Sequence, residues 1–213
     1  MSLFITFEGV EGSGKSTQIL LLAETLRQGG FNVLTTREPG GCPLSDKIRH
    51  LLLHPDQGEV ASETELFLYL AARAQHVFEI IRPALAAGKI VLCDRFADAT
   101  TAYQGFARGL DLSLIHRFND FAVGGLVPDL TLLLDMPVEN GQERLAHRNH
   151  TTGSRRDRLE LEPDTFHERV RQGYLCLARD YPERFRVVNA LAGREELALE
   201  ISTLVEPFLA EVN

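Results

Sequence analysis

Short runs of hydrophobic residues alternate along the chain with longer segments in which hydrophobic residues recur every three to four positions. The short runs predict the β-strands Leu3–Phe7, Asn32–Thr35, Ile90–Cys93, Leu130–Leu134 and Phe185–Val188. Strands that alternate with helices predict an α/β fold, in which a parallel sheet carries helices on both faces. Ile90–Cys93 has no polar side chain to face water, as expected of a strand covered on both faces.

The longer segments predict the helices Gln18–Arg27, Leu44–Leu53, Ser62–Leu85, one that ends near His147, Asp164–Arg179 and Glu195–Ala210. A chain of 213 residues can bury one substantial core and is too short for two ordinary domains. We therefore expect a single domain over residues 1–213. Ligands of such sheets bind at the carboxyl ends of the strands, so the residues that follow each strand are the candidates for chemistry.

A glycine-rich segment joins the first predicted strand to the first predicted helix. Its spacing, G-x-x-x-x-G-K-S, is that of a phosphate-binding loop, in which backbone N–H groups and the helix N-terminus hold an oligophosphate. Lys15 is then expected to reach the β- and γ-phosphates, and the Ser16 hydroxyl to bind Mg²⁺. The residues predicted to bind ATP are Gly9, Val10, Glu11, Gly12, Ser13, Gly14, Lys15, Ser16 and Thr17.

Composition narrows the class of partner. The formal net charge is −8 and no long basic run offsets it, which argues against a nucleic-acid-binding surface. Cys42, Cys93 and Cys176 form no C-x-x-C pattern, so neither a zinc site nor a disulfide framework is indicated. No hydrophobic run reaches membrane length, and the N-terminal residues show neither the basic n-region nor the long hydrophobic region expected of a signal sequence. We expect a cytoplasmic protein without a membrane partner.

Polar residues gather after the second and third strands and late in the chain. Thr36–Gly41 is a Pro-Gly-Gly turn, and Asp94-Arg95 ends the third strand, where an acid and a base could handle a metal and a phosphate. Residues His147–Arg158 contain four arginines and little hydrophobic content, which predicts a mobile loop. In a phosphate-handling enzyme such a loop is typical of a lid, placed here at about 148–158.

In this order the motifs resemble those of the thymidylate kinase family, P-loop enzymes that phosphorylate dTMP to dTDP with ATP. The residues that carry the resemblance are Phe7–Thr17, Thr36–Gly41, Asp94-Arg95 and Ala102–Gly105. The P-loop alone is shared by many proteins, whereas the four motifs together are far more restrictive. The resemblance implies a three-layer P-loop kinase fold with a short lid, ATP and Mg²⁺, a homodimer, and a place in dTTP biosynthesis.

The resemblance also implies an acceptor site. Its residues are Glu11, Glu38, Arg49, Tyr69, Arg73, Arg95, Thr100, Tyr103 and Gln104. Arg49 and Arg95 match arginines that hold the acceptor phosphate, and Glu11 matches an acid facing the sugar and its 3′-hydroxyl. Tyr69 takes the position of a ring that stacks on thymine, and Arg73 that of a donor to its O4.

Further roles follow from the same resemblance. Tyr103 matches a ring that crowds the sugar 2′ position, while Thr100 and Gln104 match polar positions near the base. Glu38 and Asp94 match acids near the phosphates and metal, and the metal ligands implied are Ser16 and Asp94.

Where some members have a basic residue inside the P-loop, this chain has Gly12, which resembles the class that relies on lid arginines. The lid candidates are Arg148, Arg155, Arg156 and Arg158, although Asn149–Ser154 resembles an insertion that shifts their alignment. Arg158 is the first choice. The predicted catalytic residues are Lys15, Arg95, Arg158 and Glu11.

Two other functions remain open on the sequence. The scaffold is shared with kinases of other nucleoside monophosphates and of deoxynucleosides, and the latter need a base such as Glu38 or Asp94 to accept a hydroxyl proton. A nucleotide-dependent switch that hydrolyses slowly would also carry a P-loop. Turnover with a defined acceptor separates these functions.

Overall fold

The computed structural model describes residues 2–55, 58–153 and 155–210. The strands are β1 Leu3–Glu8, β2 Val33–Arg37, β3 Ile90–Asp94, β4 Leu130–Asp135 and β5 Phe185–Asn189. They form one sheet in the order β2-β3-β1-β4-β5, and every neighbouring pair is parallel. The predicted α/β class and all five predicted strands are confirmed, with ends that differ by one or two residues. Because β1 lies at the centre of the sheet, the loop that follows it emerges between the ends of β3 and β4.

The α-helices within the described residues are α1 Lys15–Gln28, α2 Pro43–Leu53, α3 Ser62–His76, α4 Arg82–Ala86, α5 Ala97–Thr100, α6 Leu112–Val123, α7 Val138–Thr152, α8 Asp164–Asp180 and α9 Arg194–Leu209. The predicted helix Ser62–Leu85 is α3 and α4 joined by a π-helical turn, Val77–Ile81. A second π-helical segment, Thr101–Ala107, continues α5 and carries Tyr103 and Gln104. π-Turns of this kind are frequent at functional sites.

The strand side chains alternate between two hydrophobic layers. Ile5 and Phe7 of β1 belong to a large buried cluster with residues of α1, α8 and α9, while Phe4 packs on the other face with Val91 and Phe96. Burying one such side chain stabilises the fold by roughly 1.5–3 kcal/mol. None of the helices in the described ranges has the length and hydrophobicity needed to cross a membrane.

The structure corrects the prediction of a loop from His147 onward. α7 continues through Thr152 and ends at Gly153, whose φ of 67° is the left-handed conformation that commonly terminates helices. The prediction is wrong over residues 147–152 because low hydrophobicity does not distinguish a loop from a solvated helix, which needs only one buried stripe. Val138, Gly141 and Leu145 supply that stripe. Ser154, within the predicted lid, lies outside the described residues.

Candidate active site

The loop between β1 and α1 packs directly against the backbone of α7. Gly12 has a φ of 75°, and a Cβ there would lie 2.3 Å from the carbonyl oxygen of Gly141. A Cβ on Gly141 would in turn lie 2.5 Å from the carbonyl oxygen of Glu11. The close approach of the two segments therefore depends on glycine at both positions, and the contact leaves no room for a basic side chain at position 12. Gly141 carried no signal in the sequence, because a single glycine in a helical pattern does not reveal what approaches it.

Lys15 begins α1 and folds back over the loop. Its Nζ donates to the carbonyl oxygens of Gly9 and Val10 at 3.1 and 2.9 Å and to Ser13 Oγ at 3.3 Å. Burial, together with the nearby Arg95 guanidinium, lowers the pKa of Lys15 to about 8. A phosphate in the loop would replace these carbonyl contacts and favour the charged amine.

Ser16 and Asp94 meet at the end of the sheet, where the Ser16 hydroxyl donates to Asp94 Oδ2 at 2.7 Å. A hydroxyl and a carboxylate are oxygen ligands of the kind that Mg²⁺ accepts. No cluster of three or more His, Cys, Asp or Glu suited to a metal occurs in the described part of the chain. The pair therefore fits an ion that takes most of its ligands from water and phosphate rather than from an all-protein cage.

Arg95 occupies a left-handed conformation, with a φ of 69°, at the turn that follows β3. Its guanidinium donates to Glu11 Oε1 and to the Tyr174 hydroxyl, both at 3.0 Å, and lies over the Tyr103 ring. A non-glycine residue in this region costs roughly 1–3 kcal/mol, which other contacts must hold in place. The Arg95 guanidinium is thereby fixed at the wall of the cavity, next to the P-loop.

Glu11 has partners on three other segments of the chain. Besides Arg95 it accepts a hydrogen bond from the Tyr103 hydroxyl, and its Oε2 lies 3.4 Å from Nδ1 of buried His167. Burial would raise the pKa of Glu11, but Arg95 and His167 outweigh burial and hold it well below its ordinary value. Glu11 is therefore an anion in the folded chain. His167, in α8, was not identified from the sequence, since a single histidine in a helical pattern is more often core.

Arg73 is almost entirely committed to protein partners. Its Nε donates to Glu38 at 2.7 Å, its Nη1 to Thr100 and Asn119 at 2.8 Å each, and its Nη2 to the carbonyl oxygen of Phe96 at 2.9 Å. A guanidinium has five N–H donors, so one on Nη2 remains. Arg73 is only 2% exposed but still reaches the cavity wall, beside Tyr69 and Thr100.

Arg158 lies away from the cavity. Its Nη2 donates to the buried carboxylate of Glu65 and its Nε to the carbonyl oxygen of Leu52 at 2.9 Å. Glu65 also accepts hydrogen bonds from Gln104 and Arg108. In this conformation the sequence's first-choice lid arginine therefore fixes the loop after α7 to α2 and α3.

Other arginines line the cavity in its place. Arg144 and Arg148 are one turn apart on α7; Arg144 donates to the carbonyl oxygen of Ala190 at 3.0 Å, and Arg148 to Glu160 at 2.8 Å. Arg194, at the start of α9, also faces the cavity. Arg144 and Arg194 were missed because neither stands in a recognisable motif.

These groups line one continuous cavity of about 620 Å³. The predicted site residues that it brings together are Glu11, Gly12, Ser13, Gly14, Lys15, Ser16, Thr17, Glu38, Arg49, Tyr69, Arg73, Asp94, Arg95, Thr100, Tyr103, Gln104 and Arg148. Gly9 and Val10 do not line the cavity, and Arg155 and Arg156 line a smaller neighbouring cleft with Arg37 and Arg49.

The chain is similar to known proteins over nearly its whole length. The model of the family described as thymidylate kinase matches residues 7–201. A thymidylate kinase of Geotalea uraniireducens is 55% identical over 99% of this chain and 100% of its own length, and one of Syntrophotalea carbinolica is 56% identical over 94% of each. The crystal structure of thymidylate kinase from Ehrlichia chaffeensis superposes with a TM-score of 0.77, at 37% identity, over 96% of this chain and 98% of that one. This chain therefore belongs to the thymidylate kinase family.

Proposed function

We propose that this chain transfers the γ-phosphoryl group of ATP to the 5′-phosphate of dTMP, giving ADP and dTDP for dTTP synthesis. The observation that carries the proposal is one cavity that is lined both by the P-loop and by a ring, an arginine and two polar side chains, namely Tyr69, Arg73, Thr100 and Gln104. These four residues are proposed to form the base end of the cavity. Arg95 and Arg49 line the same cavity, as expected of groups that bind the phosphate to be extended.

The proposed mechanism needs positioning and charge neutralisation more than proton transfer. The acceptor phosphate is already an anion, so no strong general base is required. Arg95 and Arg49 would hold it in line with the γ-phosphate, and Lys15 would leave its carbonyl contacts to bind the β- and γ-oxygens. Ser16 and Asp94 would hold Mg²⁺, which when bound neutralises charge on the nucleotide phosphates.

Glu11 and Tyr103 are proposed to set the sugar position. The Glu11 carboxylate is ionised and its Oε1 is held by Arg95 and Tyr103, while its Oε2 makes no hydrogen bond among the described residues, so it can accept one from a 3′-hydroxyl without reorganising. Tyr103 donates to Glu11, which fixes its ring at the cavity wall. For the base, the remaining N–H of Arg73 is the proposed donor to O4, and Tyr69 the proposed stacking ring, with Glu38 orienting Arg73.

Lid closure on the donor is proposed to complete the site and exclude water. Among the candidate arginines, Arg148 already faces the cavity, whereas Arg158 would have to leave Glu65 to reach it. The geometry therefore favours Arg148 as the lid cation nearest the transferring group. Arg155 and Arg156, in the neighbouring cleft, are proposed to follow the lid without touching that group.

Residues 1–213 are proposed to form one domain in a cytoplasmic protein, consistent with three free cysteines, with no nucleic-acid or membrane partner. A homodimer is supported by large hydrophobic side chains left exposed on the surface, among them Phe67, Phe78 and Phe121. Light scattering at micromolar concentration tests the dimer.

The decisive experiment measures ADP release from ATP and Mg²⁺ against dTMP, dUMP, dCMP, AMP, GMP and thymidine. Strong turnover with dTMP and weak turnover with the others is expected. Preference for another monophosphate would retain the phosphoryl-transfer site and reject the proposed base pocket. Poor turnover with every acceptor would favour a nucleotide-dependent switch.

A further inference from the structure

A buried carboxylate beside the base end of the cavity has no part in the mechanism above. Glu65 lies in the first turn of α3 and is 0% exposed. It accepts from Gln104 Nε2 at 2.8 Å, from Arg108 Nε and Nη2 at 3.2 and 3.1 Å, and from Arg158 Nη2. Burial would raise the pKa of Glu65, but hydrogen bonds from Arg108, Gln104 and Arg158 lower it below the ordinary value. Glu65 is therefore ionised.

The charge of Glu65 decides which end of the Gln104 amide faces it. An ionised carboxylate only accepts hydrogen bonds, so the amide must turn its NH₂ group toward Glu65. The Gln104 carbonyl oxygen, Oε1, is left on the opposite side. None of the described residues donates to that oxygen, although Gln104 is 1% exposed and lines the cavity beside Thr100. A hydrogen-bond acceptor without a protein partner is thus held at the wall where the base is proposed to lie.

We propose that Glu65 is a specificity-determining positioning residue. By fixing the Gln104 amide, it makes the Gln104 Oε1 atom a hydrogen-bond acceptor for the base of the nucleotide that receives the phosphoryl group. Thymine and uracil carry an N3–H donor, whereas the N3 of neutral cytosine is an acceptor. The fixed oxygen therefore pairs with thymine or uracil and repels cytosine. This inference rests on the proposed function, and it assigns to Glu65 a role without any contact to the nucleotide.

The substitution Glu65→Gln tests the proposal because it should reverse the orientation of the Gln104 side-chain amide. Oε2 of Glu65 faces two guanidinium nitrogens, from Arg108 and Arg158, whereas Oε1 faces Gln104 and a single N–H of Arg108. The replacement amide would place its oxygen toward the two guanidinium groups, since these have no acceptor to offer. Its NH₂ would then face Gln104, which would turn its own oxygen inward and its NH₂ toward the base.

The experiment measures kcat/KM for dTMP, dUMP and dCMP with the wild type and Glu65→Gln. The dTMP/dCMP ratio should fall at least about tenfold, the effect of exchanging one hydrogen bond for a mismatch. The dTMP/dUMP ratio should stay within about twofold, because both bases carry the same N3–H. An unchanged dTMP/dCMP ratio in a folded variant would overturn the inference.

Arg108→Met is the matched control. Arg108 belongs to the same cluster, stacks on Phe166 and makes no hydrogen bond to the Gln104 side chain, so its loss loosens the cluster while the bond from Gln104 to Glu65 remains. In Arg108→Met both ratios should stay at wild-type values. If its dTMP/dCMP ratio fell as far as in Glu65→Gln, loosening of the cluster alone would explain the lost preference for thymine, which would contradict the inference.

A double-mutant cycle separates positioning from support of the fold. Gln104→Met should lower the dTMP/dCMP ratio by itself, and adding Glu65→Gln should lower it no further. This variant also decides the question if Glu65→Gln does not fold, since an unaffected ratio in Gln104→Met overturns the inference. Failure of the proposed function is distinguishable, because the wild type itself would then not turn over dTMP.

Discussion

Gly141→Ala perturbs the site through the contact between α7 and the P-loop. The added methyl would lie 2.5 Å from the Glu11 carbonyl oxygen, and ordinary contact begins at 3.4 Å, so loop and helix must separate by about 0.9 Å. A displacement near 1 Å in a positioned site costs on the order of 10²-fold in rate. We therefore expect kcat to fall about 10- to 100-fold and the KM for ATP to rise, because Lys15 and the loop N–H groups move with the backbone.

The same substitution has a small expected effect on stability. Alanine is favoured over glycine inside a helix by about 1 kcal/mol, while overpacking costs roughly 1–3 kcal/mol. The net loss, at most about 2 kcal/mol, leaves the protein folded at 25 °C. Steady-state kinetics with varied ATP, together with denaturant unfolding, should therefore show activity falling far more than stability.

Asn140→Ala is the matched control for Gly141→Ala. It changes the adjacent residue of the same helix, raises helix propensity and adds no atom against the P-loop. Its kcat and KM for ATP should stay within about twofold of the wild type. Wild-type kinetics in Gly141→Ala would refute the reasoning, because the P-loop would then not depend on the close approach.

Two further predictions concern charge. Burial and nearby Asp98 raise the pKa of Glu8 from 4.5 to about 8. Between these two pH values the native state holds a proton that the unfolded state releases, so the contribution of Glu8 to stability is lost as the pH rises. In urea unfolding, the free energy of unfolding of Glu8→Gln relative to wild type should therefore rise by about 2–3 kcal/mol from about pH 5.5 to about pH 7.5. A difference between the two proteins that does not change with pH would contradict the raised pKa of Glu8. Arg148→Met should lower kcat more than Arg158→Met, and single-turnover rates that show the reverse order would make Arg158 the lid cation.

Local sequence patterns were sufficient to predict the elements that are determined by a few consecutive residues. A strand such as Ile90–Asp94 is set by its own hydrophobic run, and the P-loop by the spacing of Gly9, Gly14 and Lys15. The resemblance supplied the acceptor-site residues, all nine of which the structure brings into one cavity. These features could be predicted because each is contained within a few consecutive residues or a recognised motif.

The features that the sequence did not reveal depend on contacts between distant segments. Gly141 matters only because Glu11 lies against it, and Arg158 is held by Glu65, which stands 93 residues earlier. The length of α7 was missed for a related reason. Its buried stripe is narrow, so the polar residues around Arg148 read as a loop until the packing partner is known.

Three acids in or beside the cavity orient hydrogen-bond donors, and this affects how the charge of the candidate site acts. Glu38 fixes Arg73, Glu65 fixes Gln104, and Glu11 fixes Arg95, each with at least one bond of 2.7–3.0 Å. A carboxylate so close cancels much of the field of its arginine at a distance while leaving the geometry rigid.

Long-range attraction of a polyanion must therefore come from cations that lack such a partner. Within the described residues, four cations at the cavity have no carboxylate within ion-pair distance: Lys15, Arg49, Arg144 and Arg194. Lys15, Arg49 and Arg144 bond instead to backbone carbonyls or a hydroxyl. With a net charge of −8 around them, these four cations cannot steer ligands over long distances. Nucleotide binding should accordingly depend on preorganised contacts at short range, and an acidic protein can hold two polyanions in one cavity without a basic surface.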